Sequence, residues 1–375
     1  MKNNVYLDNA ATTLIKPRAV AAAMKNAVGT LASPGRGGHA ASMRAAEIAF
    51  DCRELAAQLF NVSDPSNVIF TSNATHGLNI AVKALAKRGS RVLVSGYEHN
   101  SVMRPLRAAG AELIIARSEL FEPESAVFEF ERRLDAGGID LVVTTAMSNV
   151  FGFILPVERV AALCRERGVP LIIDASQSAG SLPLDFDALG ADFIAMPGHK
   201  GLYGPQGTGL LLCRDYTDGI IQGGSGSNSL SDTMPDFLPD GLEAGTHNMP
   251  GIAGLREGLK FVLSRGVAQI GAHAARLISI ARRELASVPG VTVFGSDRAQ
   301  GGVLSFTLEN LGCEDIAERL NERGIAVRAG LHCAPEAHRT AGTISRGTVR
   351  ASVSAFNTER DIAKLISVVK RLQKF

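Results

Sequence analysis

DFIAMPGHK, residues 192–200, reads as an apolar strand that runs into a tight turn and stops at Lys200. The run PLIID, residues 170–174, is a second strand of the same kind and ends in Asp174. Together with five further apolar runs they make a set of seven, and most of the intervals between them have helical periodicity. The predicted strands are Val68–Thr71, Arg91–Ser95, Ala111–Ala116, Asp140–Thr145, Pro170–Asp174, Asp192–Met196 and Gly209–Cys213. This alternation indicates an α/β fold with a mostly parallel sheet covered on both faces, in which ligands bind at the carboxyl ends of the strands.

Lys200 and Asp174 stand at the ends of neighbouring strands, and Asp174 is followed at once by Ala175-Ser176-Gln177. An amine and a carboxylate in this position are what pyridoxal phosphate requires. The lysine binds the cofactor's aldehyde, and the aspartate keeps the ring nitrogen protonated so that the ring accepts electrons. Each residue taken alone fits a simpler explanation better, namely a surface lysine and a strand-end aspartate that caps a helix.

The remainder of the chain predicts a second, smaller α+β domain. A long helical stretch runs from Gly251 to about Ala286, and shorter strands and helices follow through Phe375. We predict a large domain of residues 15–250 and a small domain formed by residues 1–14 with residues 251–375. Gln222–Gly245 is rich in Gly, Ser, Asp and Pro without periodicity, which predicts a long loop that is functional or ordered by a partner.

The composition limits the classes of protein to which the chain can belong. The chain has 375 residues, 46% of them hydrophobic and 20% charged, which is typical of a globular protein of two or three domains. No stretch approaches the roughly 18 apolar residues of a membrane span. The N-terminus runs from Met1 into a strand-like segment with an early acid and lacks the apolar core of a signal peptide, so we expect a cytoplasmic protein without membrane contact. A net charge of +2, with acids and bases interspersed, argues against nucleic-acid binding.

The cysteines fall into two kinds. Five cysteines without a repeating spacing do not predict a disulfide framework. Four of them lie in apolar helical or strand patterns and are expected to be inert core residues: Cys52, Cys164, Cys213 and Cys313. Cys333 instead lies in the Gly-containing loop RAGLHCAP, residues 328–335, where Arg and His favour the thiolate. The alternatives are a buried small hydrophobe and a zinc site made with His332 and His338, which lacks a convincing fourth ligand.

Several loops follow the predicted strands at the edge where a cofactor would lie. Thr71–Gly77 opens a helix, so its N–H groups and the Thr75 hydroxyl can bind a phosphate, although a simple helix cap explains it equally well. His99 follows the second strand and can stack on a planar ring, whereas a lone histidine is more often structural. Asn149 follows the fourth strand and places an amide beside the same crevice.

These motifs together resemble the class V aminotransferase group of pyridoxal-phosphate enzymes, and within it the cysteine desulfurases and selenocysteine lyases of the short-loop type. The resemblance covers nearly the whole chain. It rests on YLDNAAT (6–12), Ser148-Asn149, Asp174-x-x-Gln177, Gly198-His199-Lys200, EAGT (243–246), Arg328 through Cys333, and VRAS (349–352). It implies fold type I, a homodimer, and active sites completed by the partner subunit.

The resemblance also implies a role for each matching residue. Lys200 would hold the cofactor and later move the Cα proton, Asp174 would pair with the ring nitrogen, and His99 would stack on the ring. The other predicted cofactor contacts are Gln177 and Asn149 at the ring, Thr75, His76 and His199 at the phosphate, and Thr246 at the phosphate of the neighbouring subunit. Arg350, helped by Asn149 and Arg328, would bind the substrate carboxylate, because a guanidinium pairs with it through two hydrogen bonds. One departure is Pro197, which stands where the family often has a hydroxyl residue.

Cys333 would be the third catalytic residue beside Lys200 and His99. In the implied reaction its thiolate attacks the sulfur of bound L-cysteine, alanine leaves, and Cys333 carries a persulfide for a sulfur-acceptor protein. Selenocysteine is an alternative substrate. Transaminases and epimerases share the scaffold without needing a loop cysteine, and a sulfur-relay scaffold without turnover is the non-enzyme alternative.

Overall fold

The computed structural model of the protein describes residues 5–35, 37–227 and 229–372. The predicted strand-like segment from Met1 therefore lies partly outside the described residues. The same holds for the two ends of the predicted small domain and for one residue of the predicted long loop, Asn228.

The chain forms strands and helices in alternation. The strands are β1 Val5–Tyr6, β2 Val68–Thr71, β3 Arg91–Ser95, β4 Glu112–Ala116, β5 Leu141–Thr145, β6 Leu171–Asp174, β7 Phe193–Pro197, β8 Gly209–Cys213, β9 Val291–Phe294, β10 Val303–Leu308, β11 Ile325–Ala326, β12 Arg328–Gly330 and β13 Thr348–Ser352. The helices are α1 Arg18–Thr30, α2 Ala40–Phe60, α3 Ala74–Leu85, α4 Asn100–Ala108, α5 Pro123–Asp135, α6 Val157–Arg167, α7 Phe186–Leu189, α8 Met249–Arg265, α9 Val267–Ala286, α10 Cys313–Glu322, α11 Pro335–Thr340 and α12 Glu359–Leu372.

The predicted seven-stranded, mostly parallel sheet is confirmed, and its strand order is β2-β8-β7-β6-β5-β3-β4. Strands β4, β3, β5, β6 and β7 pair in parallel, whereas β8 is antiparallel to both β7 and β2. Each strand lies within one residue of its predicted bounds. The carboxyl ends of β5, β6 and β7 therefore meet at one edge, with Asp174 at the end of β6 and Lys200 just beyond β7.

Burial on both faces explains why these strands are continuous apolar runs. Strands β5, β6, β7 and β8 are buried along their whole length. In β3, Val92 and Val94 pack into the core on one side of the sheet and Leu93 packs into the core on the other. Helices on each face cover these side chains, which fixes the sheet as the rigid base of the molecule.

The four cysteines predicted to be core residues are buried, as expected. Burial raises the pKa of Cys52, Cys164 and Cys213 to about 12 and that of Cys313 to about 11. Their thiols therefore stay protonated at neutral pH and are poor nucleophiles.

A four-stranded antiparallel sheet of order β12-β13-β10-β9 forms the C-terminal part, together with α9, α10 and α12. β1 pairs in parallel with β11, so the N-terminal segment joins this part. The predicted domain boundaries stay a prediction; α8, which spans the predicted boundary at residue 250, packs against α1 and α2.

The predicted long helix from Gly251 to Ala286 is in fact two helices, α8 and α9. Gly266 separates them with φ +84°, a left-handed conformation that side-chain-bearing residues rarely adopt.

The predicted loop of residues 222–245 contains one short 3₁₀ turn, Asp240–Leu242, among its described residues. In the described part of the chain, no helix has the length and apolar character needed to cross a membrane.

Candidate active site

A cavity of about 210 Å³ opens where β5, β6 and β7 end. It brings together seven of the residues predicted for the site: Thr75, His99, Asn149, Asp174, Gln177, His199 and Lys200. Two other predicted residues, His76 and Thr246, line a neighbouring cavity of about 310 Å³. Arg328, Arg350 and Cys333 line neither of these two cavities.

Lys200 is held by the N-terminal segment. The main-chain carbonyl of His199 accepts hydrogen bonds from Thr13 N at 3.1 Å, Thr13 Oγ1 at 3.0 Å and Lys16 Nζ at 3.2 Å. Loss of hydration lowers the pKa of Lys200 to about 8; the Asp174 carboxylate opposes this shift, and Arg350 adds to it. About a tenth of the amine is therefore neutral at pH 7, the form that a nucleophile or base requires.

Asp174 is 3% exposed, and its Oδ1 accepts a hydrogen bond from Ser176 N at 2.9 Å. Its main-chain carbonyl accepts a bond from Ala146 N at 3.0 Å, which ties the ends of β5 and β6 together. Gln177 donates from Nε2 to the carbonyl of Ala10 at 3.0 Å, so its amide is oriented by the N-terminal segment. The carboxylate thus lies fixed at the bottom of the cavity.

His99 is both the predicted site residue and the N-cap of α4. Its Nδ1 accepts a hydrogen bond from Ser101 N at 3.0 Å, so the ring proton is on Nε2. Burial lowers the pKa of His99 to about 4, against the opposing effect of Asp174, and the imidazole is therefore neutral. The cap fixes the ring plane, a role that the sequence analysis did not anticipate.

The predicted phosphate segment begins α3, and the helix cap, the alternative explanation of this segment, is present. Asn73 is the cap, since its Oδ1 accepts a bond from His76 N at 2.9 Å. This leaves Thr75 in the cavity, where its hydroxyl lies 2.8 Å from Ser101 Oγ. His199 Nδ1 is buried and has no hydrogen-bond partner among the described residues.

Arg350 lies behind this cavity on β13 and is 2% exposed. Its Nη1 donates to the carbonyl of Asn149 at 3.0 Å, and its Nη2 donates to Asp8 Oδ1 at 2.9 Å. Asp8 also pairs with Arg328, whose Nη2 lies 2.8 Å from Oδ2. The two predicted carboxylate-binding arginines thus share one acid, a residue of the YLDNAAT motif for which the sequence predicts no role.

Cys333 is exposed, which excludes the alternative of a buried core thiol. His332 and Cys333 have φ values of 50° and 56°, so two consecutive residues with side chains adopt the left-handed conformation. Hydrogen bonds hold this turn: Asn149 Nδ2 donates to the His332 carbonyl at 2.8 Å and Asn100 N donates to the Cys333 carbonyl at 2.8 Å.

The zinc alternative receives no support, since the described residues contain no group of three or more His, Cys, Asp or Glu side chains arranged to hold a metal ion. The rings of His332 and His338 pack side by side, 5.8 Å between centroids. Burial lowers the pKa of both.

Pro197, the departure from the family pattern, lines the cavity at the end of β7.

A family model described as Aminotransferase class-V matches residues 5–365. A probable cysteine desulfurase of Methanothermobacter thermautotrophicus is 32% identical over 97% of this chain and 94% of that protein. The apo structure of a cysteine desulfurase from Thermococcus onnurineus superposes with a TM-score of 0.91 at 29% identity, covering 99% of this chain and 95% of that chain. The cystine C–S lyase C-DES, solved with its product cysteine persulfide, is 26% identical with a TM-score of 0.82 over 100% of this chain and 98% of that chain. A variant of C-DES carries glycine covalently linked to its pyridoxal phosphate.

Proposed function

The chain belongs to the class V aminotransferase family, and from that membership we propose that it is a pyridoxal-phosphate-dependent cysteine desulfurase. It converts L-cysteine to L-alanine and keeps the sulfur as a persulfide on Cys333. The observation that carries the proposal is the place of this exposed thiol, on a turn that Asn149 ties to the loop after β5 and Asn100 ties to the start of α4.

The cavity residues fit the cofactor. Lys200 provides an amine of lowered pKa, and Asp174 provides a buried carboxylate at the end of the adjacent strand. Thr75, the start of α3 and the unpartnered Nδ1 of His199 form a set of donors suited to a phosphate. When bound, pyridoxal phosphate withdraws electrons from the Cα of an attached amino acid. The same proposal includes contacts with the cofactor from five further residues: His99, Gln177, Asn149, His76 and Thr246.

The chain's own residues supply the remaining chemistry. Arg350 binds the substrate carboxylate, and Lys200 takes and returns the proton at Cα. The Cys333 thiolate attacks the substrate sulfur while the Cβ–S bond breaks, and the carbon is protonated so that alanine leaves. Cysteine and one thiol become alanine and one persulfide, so the step needs no external oxidant or reductant.

We further propose a homodimer in which Thr246 contributes to the partner's site. Thr246 and His76 lie together in the neighbouring cavity, away from Asp174 of the same chain. The long loop that precedes Thr246 exposes Leu230 at 99% and Phe237 at 49%, an apolar surface that a second subunit would bury. Sedimentation measures the mass of the assembly, and a fully active monomer would contradict this arrangement.

A persulfide on Cys333 also needs an acceptor, so we propose a sulfur-acceptor protein as the physiological partner. The exposure of the turn around Cys333 suits such an exchange.

A cytoplasmic location remains part of the proposal, in keeping with five cysteines that form no disulfide among the described residues.

The purified yellow protein tests the function directly. With L-cysteine it should release alanine in amounts equal to the sulfide recovered after reduction, and mass spectrometry should find one extra sulfur on the peptide containing Cys333. Selenocysteine, tested in parallel, distinguishes a selenocysteine lyase from a desulfurase. Turnover without a modified peptide would favour a C–S lyase or transaminase reaction, and bound cofactor without turnover would favour a relay scaffold.

A further inference from the structure

We propose that Asp8 determines which charged amino acids the substrate carboxylate site accepts. It positions Arg350, and its negative charge neutralises one of the two positive charges of Arg350 and Arg328. The inference rests on the role given to Arg350 in the proposed function. It extends that role to a residue of the N-terminal segment, and it names the class of ligand that the site prefers.

The first observation is the position of Asp8 between the two guanidinium groups. Its Oδ1 accepts from Arg350 Nη2 at 2.9 Å, and its Oδ2 accepts from Arg328 Nε at 3.0 Å and Nη2 at 2.8 Å. The Asp8 side chain is 11% exposed and that of Arg350 is 3% exposed, so this pair is shielded from water. The Arg328 side chain is 51% exposed and reaches solvent.

The second observation is a donor atom of Arg350 that has no partner. Arg350 uses Nη1 on the carbonyl of Asn149 and Nη2 on Asp8, while its Nε is buried without a partner among the described residues. A buried guanidinium N–H with no acceptor is destabilising and points to a ligand that supplies one. Asp8 thus holds the guanidinium in one orientation, and the substrate carboxylate completes its hydrogen bonds.

Charge then determines the class of ligand. Two arginines and one carboxylate leave a net charge of +1, which one substrate carboxylate neutralises. An amino acid with a second carboxylate on its side chain would place that group near Arg328, whose charge Asp8 already compensates. The site therefore favours amino acids whose only anion is the α-carboxylate.

The test uses the holoenzyme and follows the cofactor's absorption spectrum during titration with L-alanine and with L-aspartate. Asp8→Asn removes one negative charge but keeps an acceptor oxygen. It should shift the ratio of the half-saturating concentrations of L-alanine and L-aspartate toward L-aspartate by about tenfold. Arg328→Gln changes the charge in the opposite direction and should weaken L-aspartate more than L-alanine.

Opposite effects of the two variants on this preference are not expected from a purely structural role. If Asp8→Asn weakens both ligands equally, or leaves both unchanged, the inference is overturned. If that variant does not fold, Arg328→Gln decides the matter, and an equal effect on both ligands overturns the inference. The titration involves no sulfur chemistry, so a protein that binds both amino acids but forms no persulfide would refute the proposed function and leave this inference standing.

Discussion

The side-chain amide of Asn149 donates a 2.8 Å hydrogen bond to the main-chain carbonyl of His332, the residue before Cys333. Asn149 follows β5, and its own carbonyl accepts a bond from Arg350. One residue thus connects the cavity, the proposed carboxylate site and the turn that presents the thiol. Because His332 and Cys333 both have left-handed backbones, the turn depends on such external bonds to keep its shape.

Asn149→Ala should therefore slow the transfer of sulfur. Loss of the bond leaves a buried carbonyl without its donor, which costs about 1 to 3 kcal/mol and corresponds to roughly fivefold or more in the population of the correct turn. The rate of persulfide formation on the Cys333 peptide, followed by mass spectrometry, measures the effect. Asn310→Ala, at an exposed position, is the control. An unchanged rate in Asn149→Ala would show that the turn does not depend on this amide.

Lys200→Ala should abolish the covalent attachment of the cofactor. Borohydride reduction of the native protein should fix pyridoxal phosphate to Lys200, and peptide mapping locates the label. Lys16 is a stringent control because it lies at the same turn and burial lowers its pKa to about 8 as well. Lys16→Ala should keep the label; attachment to Lys16 instead of Lys200 would refute the assignment.

Arg350→Ala should raise the amino-acid concentration needed to change the cofactor spectrum, with the amount of bound cofactor nearly unaffected. A lost hydrogen bond between charged groups costs about 1.5 to 3 kcal/mol, so the shift should be about tenfold or more. Arg346→Ala is a matched control, since Arg346 binds the main-chain carbonyl of Glu309 at 2.9 Å. Equal titrations of the two variants would remove Arg350 from the carboxylate site.

The seven strands were predictable from the sequence because strands buried on both faces must be continuous apolar runs. Asp174 and Lys200 were predictable for the same reason, since each directly follows such a run. The break at Gly266 was missed because the helical periodicity continues on both sides of it, and a single glycine does not by itself end a helix.

Contacts between distant parts of the chain lie beyond such reasoning. Asp8 and Arg350 stand at opposite ends of the sequence, and the parallel bridge between Asp8 and Ser352 brings them together. The donors from Thr13 and Lys16 to the His199 carbonyl depend likewise on tertiary packing. Periodicity places a residue on an element, but it does not state which distant side chain that residue meets.

The buried histidine His338 predicts that the protein loses stability in acid. It is fully buried, and burial lowers its pKa to about 4. Below a pKa of about 6.5 the unfolded chain binds a proton that the folded protein refuses, so stability falls as the pH drops from about 6.5 toward 4. The expected contribution is about 2 kcal/mol between pH 7 and pH 5.

Urea denaturation of the native protein and of His338→Gln at the two pH values isolates this contribution. The variant should be less stable at pH 7, because the bond from His338 to Thr343 is altered. Its free energy of unfolding should nevertheless fall less steeply between pH 7 and pH 5. Parallel pH dependences in the two proteins would mean that other groups cause the acid sensitivity.

Cys333→Ser separates a desulfurase from its relatives on the same scaffold. A thiolate nucleophile is required only if sulfur leaves by transfer to the enzyme. The variant should therefore keep the bound cofactor and its spectral response to L-cysteine, yet form no persulfide and release no alanine. Cys313→Ser is the control, because that thiol is buried and burial raises its pKa to about 11. Undiminished alanine release by Cys333→Ser would show that the sulfur is transferred to another thiol and not to Cys333, whereas release of pyruvate and ammonia would indicate the β-elimination of a C–S lyase.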